Sequence, residues 1–370
     1  MMQPLKGVRV LELARVLAGP WCGQMLADLG ADVLKVESPE GDDTRQWGPP
    51  FLGDSAAYFH SCNRGKRSVT ADFRTPDGRA LVETLVRDAD ILIENFKTGG
   101  LAKYGLDYEN LNKINPRLIY CSITGFGQDG PDAHRAGYDY IIQGMCGLMS
   151  LTGDPAGEPQ KVAVAVTDLM TGTYACSAIL AAMLGRVATG QGCHIDMSLI
   201  DVGLAMMSNQ AMNALASGKP SPRIGNANPN LAPYQVFAVA DGHIIIGVGN
   251  DGQFGKLCAL LGCPELASDP DFAGNPGRVV NRLRLSDLLS ERTVKWTKAT
   301  LLQACEDQGV PAGPIHDMIE AFADDQARFH DIATKTDGVP TIRSPFRFNG
   351  EPVPLGGASP ALGSSKPEWI

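Results

Sequence analysis

Several short motifs are missing from this 370-residue chain or from the turn where they would act, and each such absence removes a class of chemistry. No GxxxxGK[ST] occurs, so there is no Walker-type loop to cradle phosphates. The turn after the first predicted strand reads LARVLAGPWCG, with Gly19 and Gly23 but no GxGxxG. Its backbone therefore cannot approach a pyrophosphate in the dinucleotide-binding manner, although Glu37 closes the next strand where a ribose hydroxyl would need an acid. GxSxG is absent too, and none of the six histidines follows a recognisable nucleophile elbow. His134 and His194 fall in polar turns, which predicts surface positions. The nine cysteines form no CxxC pair and no histidines stand at metal-ligand spacing, which argues against zinc. Reduced, mostly buried thiols are expected instead.

Cations are also in deficit: 32 Lys+Arg against 41 Asp+Glu give a net charge of −9. A general nucleic-acid surface is excluded by that balance, while a local basic pocket for an anion is not. No apolar run reaches ~18 residues, so no bilayer-spanning segment or membrane partner is expected. MMQPLKGVRVLEL enters a strand directly, without a secretory or transit signal, and the expectation is a cytoplasmic protein.

What is present is a rhythm. GVRVLELA (7–14) reads as a strand, PWCGQMLADLG (20–30) as a helix and ADVLKVE (31–37) as a second strand. RALVETLVRDA (79–89), DILIEN (90–95), YENLNKIN (108–115) and RLIYCSIT (117–124) continue as helix, strand, helix and strand. Alternation of this kind predicts an α/β fold, a doubly wound parallel-sheet large domain. TGQGCHIDMSLIDVGL reads as a Gly turn, a strand and the start of a helix. Residues 218–235 are rich in Pro, Gly and Asn, and YQVFAVADGHIIIGVG (234–249) is a hairpin turning at Asp241-Gly242. The predicted layout is a large domain over 1–204, completed by about 326–370. A linker and loop cover 205–233, and a smaller α+β domain covers 234–325.

Within the pattern AVAVTDLMTG stands out. Val162–Val166 reads as a strand and TYACSAILAAMLGRVA as a helix, leaving Asp168 at a helix N-terminus. A capping aspartate explains that position as readily as a reactive one.

Order and spacing of longer stretches add a resemblance. PLKGVRVLELARVLAGPWCGQMLADLGADVLKVESPEGDDTRQWGPPF, NRGKRSVTADFRTPDG, ILIENFKTGGLAKYGLDYENL, NPRLIYCSITGFGQDGP, AGYDYIIQGMCGLMSLTGDP, VAVTDLMTG, APYQVFAVADG and VPAGPI carry it over about residues 4–345. Together they resemble the class III (CaiB/BaiF-type) CoA-transferases, most closely those that move CoA between dicarboxylic acids.

The resemblance implies an acyl-CoA:carboxylate CoA-transferase with Asp168 as nucleophile. Asp168 would attack the thioester, pass through a mixed anhydride and an aspartyl-CoA thioester, and need no metal or general base. No permanently bound cofactor is implied; a coenzyme A thioester is the substrate. Leu17 and Ala18 would lie along CoA, with Arg74, Asn95, Phe96, Lys97 and Lys103 around its nucleotide. Tyr138 stands where racemase relatives carry a proton-transferring His, which weighs against the alternative of a 2-methylacyl-CoA racemase. A non-catalytic CoA-binding relative is the third reading. Ser38 replaces an arginine that contacts adenosine in formyl-CoA transferase, and GNANPNLAP (225–233) replaces that enzyme's glycine-rich lid, with the resemblance implying that it still serves as the active-site lid loop. The family further implies an interlocked homodimer, with small carboxylic acids as the other partners and no nucleic acid.

Overall fold

A computed structural model describes residues 2–370. The chain divides into two compact units. The larger comprises residues up to Leu148, Lys161–Lys219 and Asp325–Ile370; the smaller comprises Met149–Gln160 and Pro220–Asp324.

Six parallel strands organise the larger unit: β1 (Arg9–Glu12), β2 (Asp32–Glu37), β3 (Arg67–Thr70), β4 (Ile91–Glu94), β5 (Ile119–Thr124) and β6 (Cys193–Ser198). Their order is β3-β2-β1-β4-β5-β6, every pair parallel. Alternate residues enter two separate cores. Val10, Ile91, Ile93, Ile119 and Cys121 face one, and Leu11, Leu92, Leu118 and Tyr120 the other. Burial on both faces is why these strands read as near-continuous apolar runs, and it requires helices on each side. Those helices include α1 (Ala18–Asp28), α2 (Pro76–Val86), α3 (Tyr108–Ile114), α4 (Asp139–Met145), α5 (Val166–Thr189), α6 (Leu199–Met206) and α7 (Ser208–Ser217). The doubly wound parallel sheet expected from the alternation is the observed fold.

Glycines set the closeness of α1 and α5. A Cβ on Gly172 of α5 would stand 2.5 Å from the carbonyl oxygen of Ala18, and one on Gly23 of α1 would stand 1.8 Å from a Glu12 carboxylate oxygen. A side chain at either position would force its neighbour to move. Gly23 and Gly172 therefore serve close packing.

Differences from the sequence reading are local. Val162–Val166 is not a strand: it lies outside every sheet, the Val162 amide donates to Gln143 Oε1 (2.8 Å), and α5 begins at Val166. Strand β3 was not anticipated, because its four residues RSVT are half polar. Residues 208–217, expected as linker, form α7 in the larger unit. Residues 149–160, expected in the large domain, join the smaller unit, where the Gly157 carbonyl accepts from Arg223 Nη1 (2.7 Å). Helix α5 is long and apolar enough to cross a membrane by length and composition, against the expectation that no segment is. It packs on α1, β5 and β6, and its buried residues include Thr167, Thr171 and Arg186.

The C-terminal stretch GGASPALGSSKPEWI runs past the open side of β3. Gly363 N and Ser365 N donate to Ser68, Trp369 Nε1 donates to the Leu85 carbonyl (3.1 Å), and Ile370 N to Asp32 Oδ2 (2.9 Å). An edge that would otherwise present unpaired amides is covered.

The smaller unit holds a hairpin of β7 (Tyr234–Val239) and β8 (Gly242–Gly247) with β9 (Ala312–Pro314) antiparallel beside it. Phe237, Ile244, Ile246, Phe254, Leu257, Leu285 and Leu301 form its core. The 225–233 loop is fastened within this unit by its own backbone. Arg282 donates to the carbonyls of Asn228 (2.7 Å) and Pro229 (2.8 Å), and the buried Arg278 to that of Ala232 (2.7 Å).

Candidate active site

The order β3-β2-β1-β4-β5-β6 reverses direction between β1 and β4, and in open parallel sheets ligands bind beyond the carboxyl ends at such a point. The segments leaving those two strands are Leu13–Leu17 and Asn95–Lys97. They are tied together: Asn95 Oδ1 accepts from the Arg15 amide (2.9 Å) and Asn95 Nδ2 donates to the Arg15 carbonyl (2.7 Å).

Two cavities flank this junction. One, of about 420 Å³, is lined among others by Arg15, Leu17, Ala18, Lys97, Tyr138 and Asp168. The other, of about 340 Å³, includes Lys35, Ser38, Arg74 and Tyr104 in its wall. Arg15, Phe96 and Tyr104 belong to both. The predicted residues are thus brought together by the fold. Asp168, Leu17, Ala18, Asn95, Phe96, Lys97, Lys103 and Tyr138 line the larger cavity and Arg74 the smaller. Leu17 and Ala18 are buried, Arg74 is exposed and held by Asp72 (2.8 Å), and the Lys103 ammonium lies 4.8 Å from the Tyr104 ring centre. Tyr138 is 63% exposed within one chain.

Asp168 occupies the first turn of α5, half-buried. It does not cap that helix: the N-cap residue is Ala165, whose side chain makes no capping hydrogen bond. The first-turn amide of Thr167 is satisfied instead by Asp139 Oδ1 (2.8 Å), which also accepts from the Thr167 hydroxyl (2.6 Å). The capping explanation for Asp168 is therefore replaced, since the cap is donated from α4. Burial, and then the like charge of Asp139, push the Asp168 carboxyl up to about 7. A helix N-terminus favours a carboxylate by only ~0.3–1 kcal/mol, too little to offset those two effects. A carboxylate of this basicity is a stronger nucleophile than an ordinary aspartate. No histidine lines its cavity.

Sequence reasoning missed Asp139, Arg15, Arg135 and Tyr104. Asp139 sits inside AGYDY, next to a residue that was singled out, but its role depends on where α4 meets α5. Arg15 lines both cavities, with its guanidinium 2.9 Å from Asp43 Oδ2. His194 is not in a turn. It lies on β6, exposed, with its ring stacked 5.0 Å from that of Tyr108 and Nε2 2.9 Å from Ser122 Oγ. Glu37 is spoken for: Arg45 grips both its oxygens (2.7 and 2.8 Å) and Ser68 Oγ donates to it (2.6 Å). That leaves no ribose acceptor. All nine cysteines are free, and among the described residues no group of three potential ligands could hold a metal ion.

Comparison with known proteins agrees with this geometry. The chain is 54% identical over 379 residues to the succinate–glutarate CoA-transferase of Agrobacterium fabrum, covering 99% of this chain and 95% of that one. The succinyl-CoA:glutarate CoA-transferase of Mus musculus is 45% identical over 88% of this chain and 75% of its own. The crystal structure of a CaiB/BaiF family protein from Brucella suis superposes with a TM-score of 0.88 at 58% identity, covering 98% of this chain and 97% of the other. The family model for CoA-transferase family III matches residues 5–366. A two-chambered cleft at the switch point of the sheet, its larger chamber lined by Arg15, Lys97, Lys103 and Arg135 around one carboxylate of raised basicity, is what this chain presents as an enzyme of CoA-transferase family III.

Proposed function

We propose that the enzyme transfers CoA from succinyl-CoA, or a similar dicarboxylyl-CoA, to a second dicarboxylic acid of glutarate type, with Asp168 as the nucleophile. The observation that carries this reading is the placement of Asp168: a basic carboxylate in a cavity whose walls also hold Arg15, Lys97, Lys103 and Arg135. Cations there suit the phosphates of CoA and the distal carboxylate of the acid.

An Asp168 oxygen attacks the thioester carbonyl, the C–S bond breaks, and CoA thiolate leaves a mixed anhydride. The thiolate then attacks the aspartyl carbonyl, freeing the first acid and leaving Asp168 as a CoA thioester. The incoming carboxylate repeats the two displacements in reverse, so CoA departs on the second acid and Asp168 is regenerated. Uncapped amides in the first turn of α1, which lines the same cavity, are suitably placed donors for the oxyanions of these steps. Both intermediates hydrolyse, so the cavity has to keep water out.

The enzyme is further proposed to be a cytoplasmic homodimer. Support for association comes from apolar side chains left in solvent on four helices of the larger unit: Tyr140 and Ile141 on α4, Leu184 and Val187 on α5, Leu204 on α6 and Leu215 on α7. Patches of this kind mark interfaces.

Wild-type enzyme held with succinyl-CoA and quenched with hydroxylamine should carry a hydroxamate at Asp168, read by peptide mass spectrometry. Asp168→Ala should keep its circular dichroism and lose exchange by about a thousandfold or more, since the covalent route is gone. Near-normal exchange in that variant would remove Asp168 from the mechanism. Exchange confined to monocarboxylates would remove the dicarboxylate assignment.

A further inference from the structure

One backbone position beside the reactive cavity is out of keeping with its residue type. Val16, between β1 and α1, has φ +71°, in the left-handed region. For a β-branched residue this is an outlier that persists only where surrounding groups enforce it.

The enforcing groups are present. The Val16 amide donates to both carboxylate oxygens of Asp42 (3.3 and 3.2 Å). Asp42 is itself immobile: it is buried, Oδ2 is 2.9 Å from the Lys35 ammonium, and Oδ1 accepts from the Thr44 amide (3.0 Å) and hydroxyl (2.8 Å). Lys35, also buried, is fixed in turn by Glu12 Oε1 (3.1 Å) and the Ala14 carbonyl (2.7 Å). On the other side of the turn Asn95 clamps Arg15 through both its backbone groups. The next two residues, Leu17 and Ala18, are those that carry the backbone into the cavity of Asp168.

We infer that Asp42 is a positioning residue for CoA transfer: its carboxylate holds Val16 in the left-handed turn and so fixes where Leu17 and Ala18 present their backbone to the acyl-CoA. Lys35 keeps that carboxylate ionised and oriented. Asp42 touches no reacting atom. The inference rests on reading this cavity as the acyl-CoA site, but not on which carboxylate is the nucleophile.

A double-mutant cycle tests it, read in kcat/KM for succinyl-CoA-dependent exchange. Asp42→Asn is measured in the wild-type Val16 background and again with Val16→Gly, because glycine adopts positive φ without a Cβ penalty and needs no enforcement. The expected loss from Asp42→Asn is about tenfold or more in the wild-type background. In the Val16→Gly background it is less than about threefold, a coupling a purely structural role would not produce. Equal losses in both backgrounds would overturn the inference, since Asp42 would then act only through the charge balance with Lys35. No loss in either would overturn it as well. If Asp42→Asn does not fold, Val16→Pro replaces it, leaving the charges intact while removing both the N–H and the left-handed backbone. That variant should lose about a hundredfold in kcat/KM, and an unchanged value would overturn the inference. Hydroxylamine trapping of Asp168, run on the wild type in parallel, tests the nucleophile separately.

Discussion

Asp168 and Asp139 share the mouth of one helix but divide two duties that a single aspartate often combines. Asp139 supplies the hydrogen bonds that start α5, and Asp168 is left unencumbered and basic. The pH dependence follows with a definite sign. Asp168 has to be ionised to attack, and its carboxyl sits at about 7, so kcat/KM should fall as pH drops through that value and level off above it. Asp139→Asn keeps an oxygen for the Thr167 cap and removes the like charge. The acid limb of the profile should therefore move to lower pH, and a limb that stays in place or moves upward would show that Asp139 does not set the basicity. Asp168 stood out in the sequence through the resemblance, since AVAVTDLMTG alone fits a capping aspartate as readily as a reactive one. Asp139 did not, because nothing in AGYDY tells that its carboxylate reaches an amide 28 positions away.

Among the elements, strands buried on both faces declared themselves through unbroken runs such as Ile91–Ile93 and Ile119–Cys121. Short apolar runs misled. VAVAV has the composition of such a strand, yet the sheet is completed by Cys193–Ser198, where exposed and half-buried residues alternate. Periodicity cannot separate a buried strand from an extended connection of five small residues. Gly172 offers a direct check on how α1 and α5 meet. Gly172→Ala places a methyl 2.5 Å from the Ala18 carbonyl oxygen, a backbone atom that cannot step aside without moving α1. Thermal or urea unfolding should show a loss of about 1–3 kcal/mol, and kcat/KM should fall with it, because both helices wall the reactive cavity. Unchanged stability would mean the two helices are not packed this closely.

For the molecule as a whole, a net charge of −9 coexists with a cleft lined by arginines and lysines, a contrast that composition alone conceals. The larger unit also leaves a helical face uncovered: Leu184 is 75% and Val187 85% exposed on α5. Sequence patterning marks such residues as core, because a residue buried by a second chain and one buried by its own look alike. Replacing both by Glu should convert a homodimer to monomer or lower its yield of soluble protein, measured by sedimentation velocity. A wild type that sediments as a monomer at micromolar concentration would end the proposal of association. The two-unit division was partly visible as the Pro/Gly/Asn-rich stretch at 218–235. The reassignment of 149–160 was not, since it depends on a side chain, Arg223, far along the chain.

The covering of β3 by residues 363–370 has a consequence for the order in which this protein is made. On the ribosome the strands β1 to β6 emerge early, but the stretch that shields their open edge follows only after the whole smaller unit. Until then the nascent sheet carries an unprotected border, and the smaller unit, with its own core, is free to fold first. The larger unit's sheet is thus closed at its border only after the smaller unit has been made.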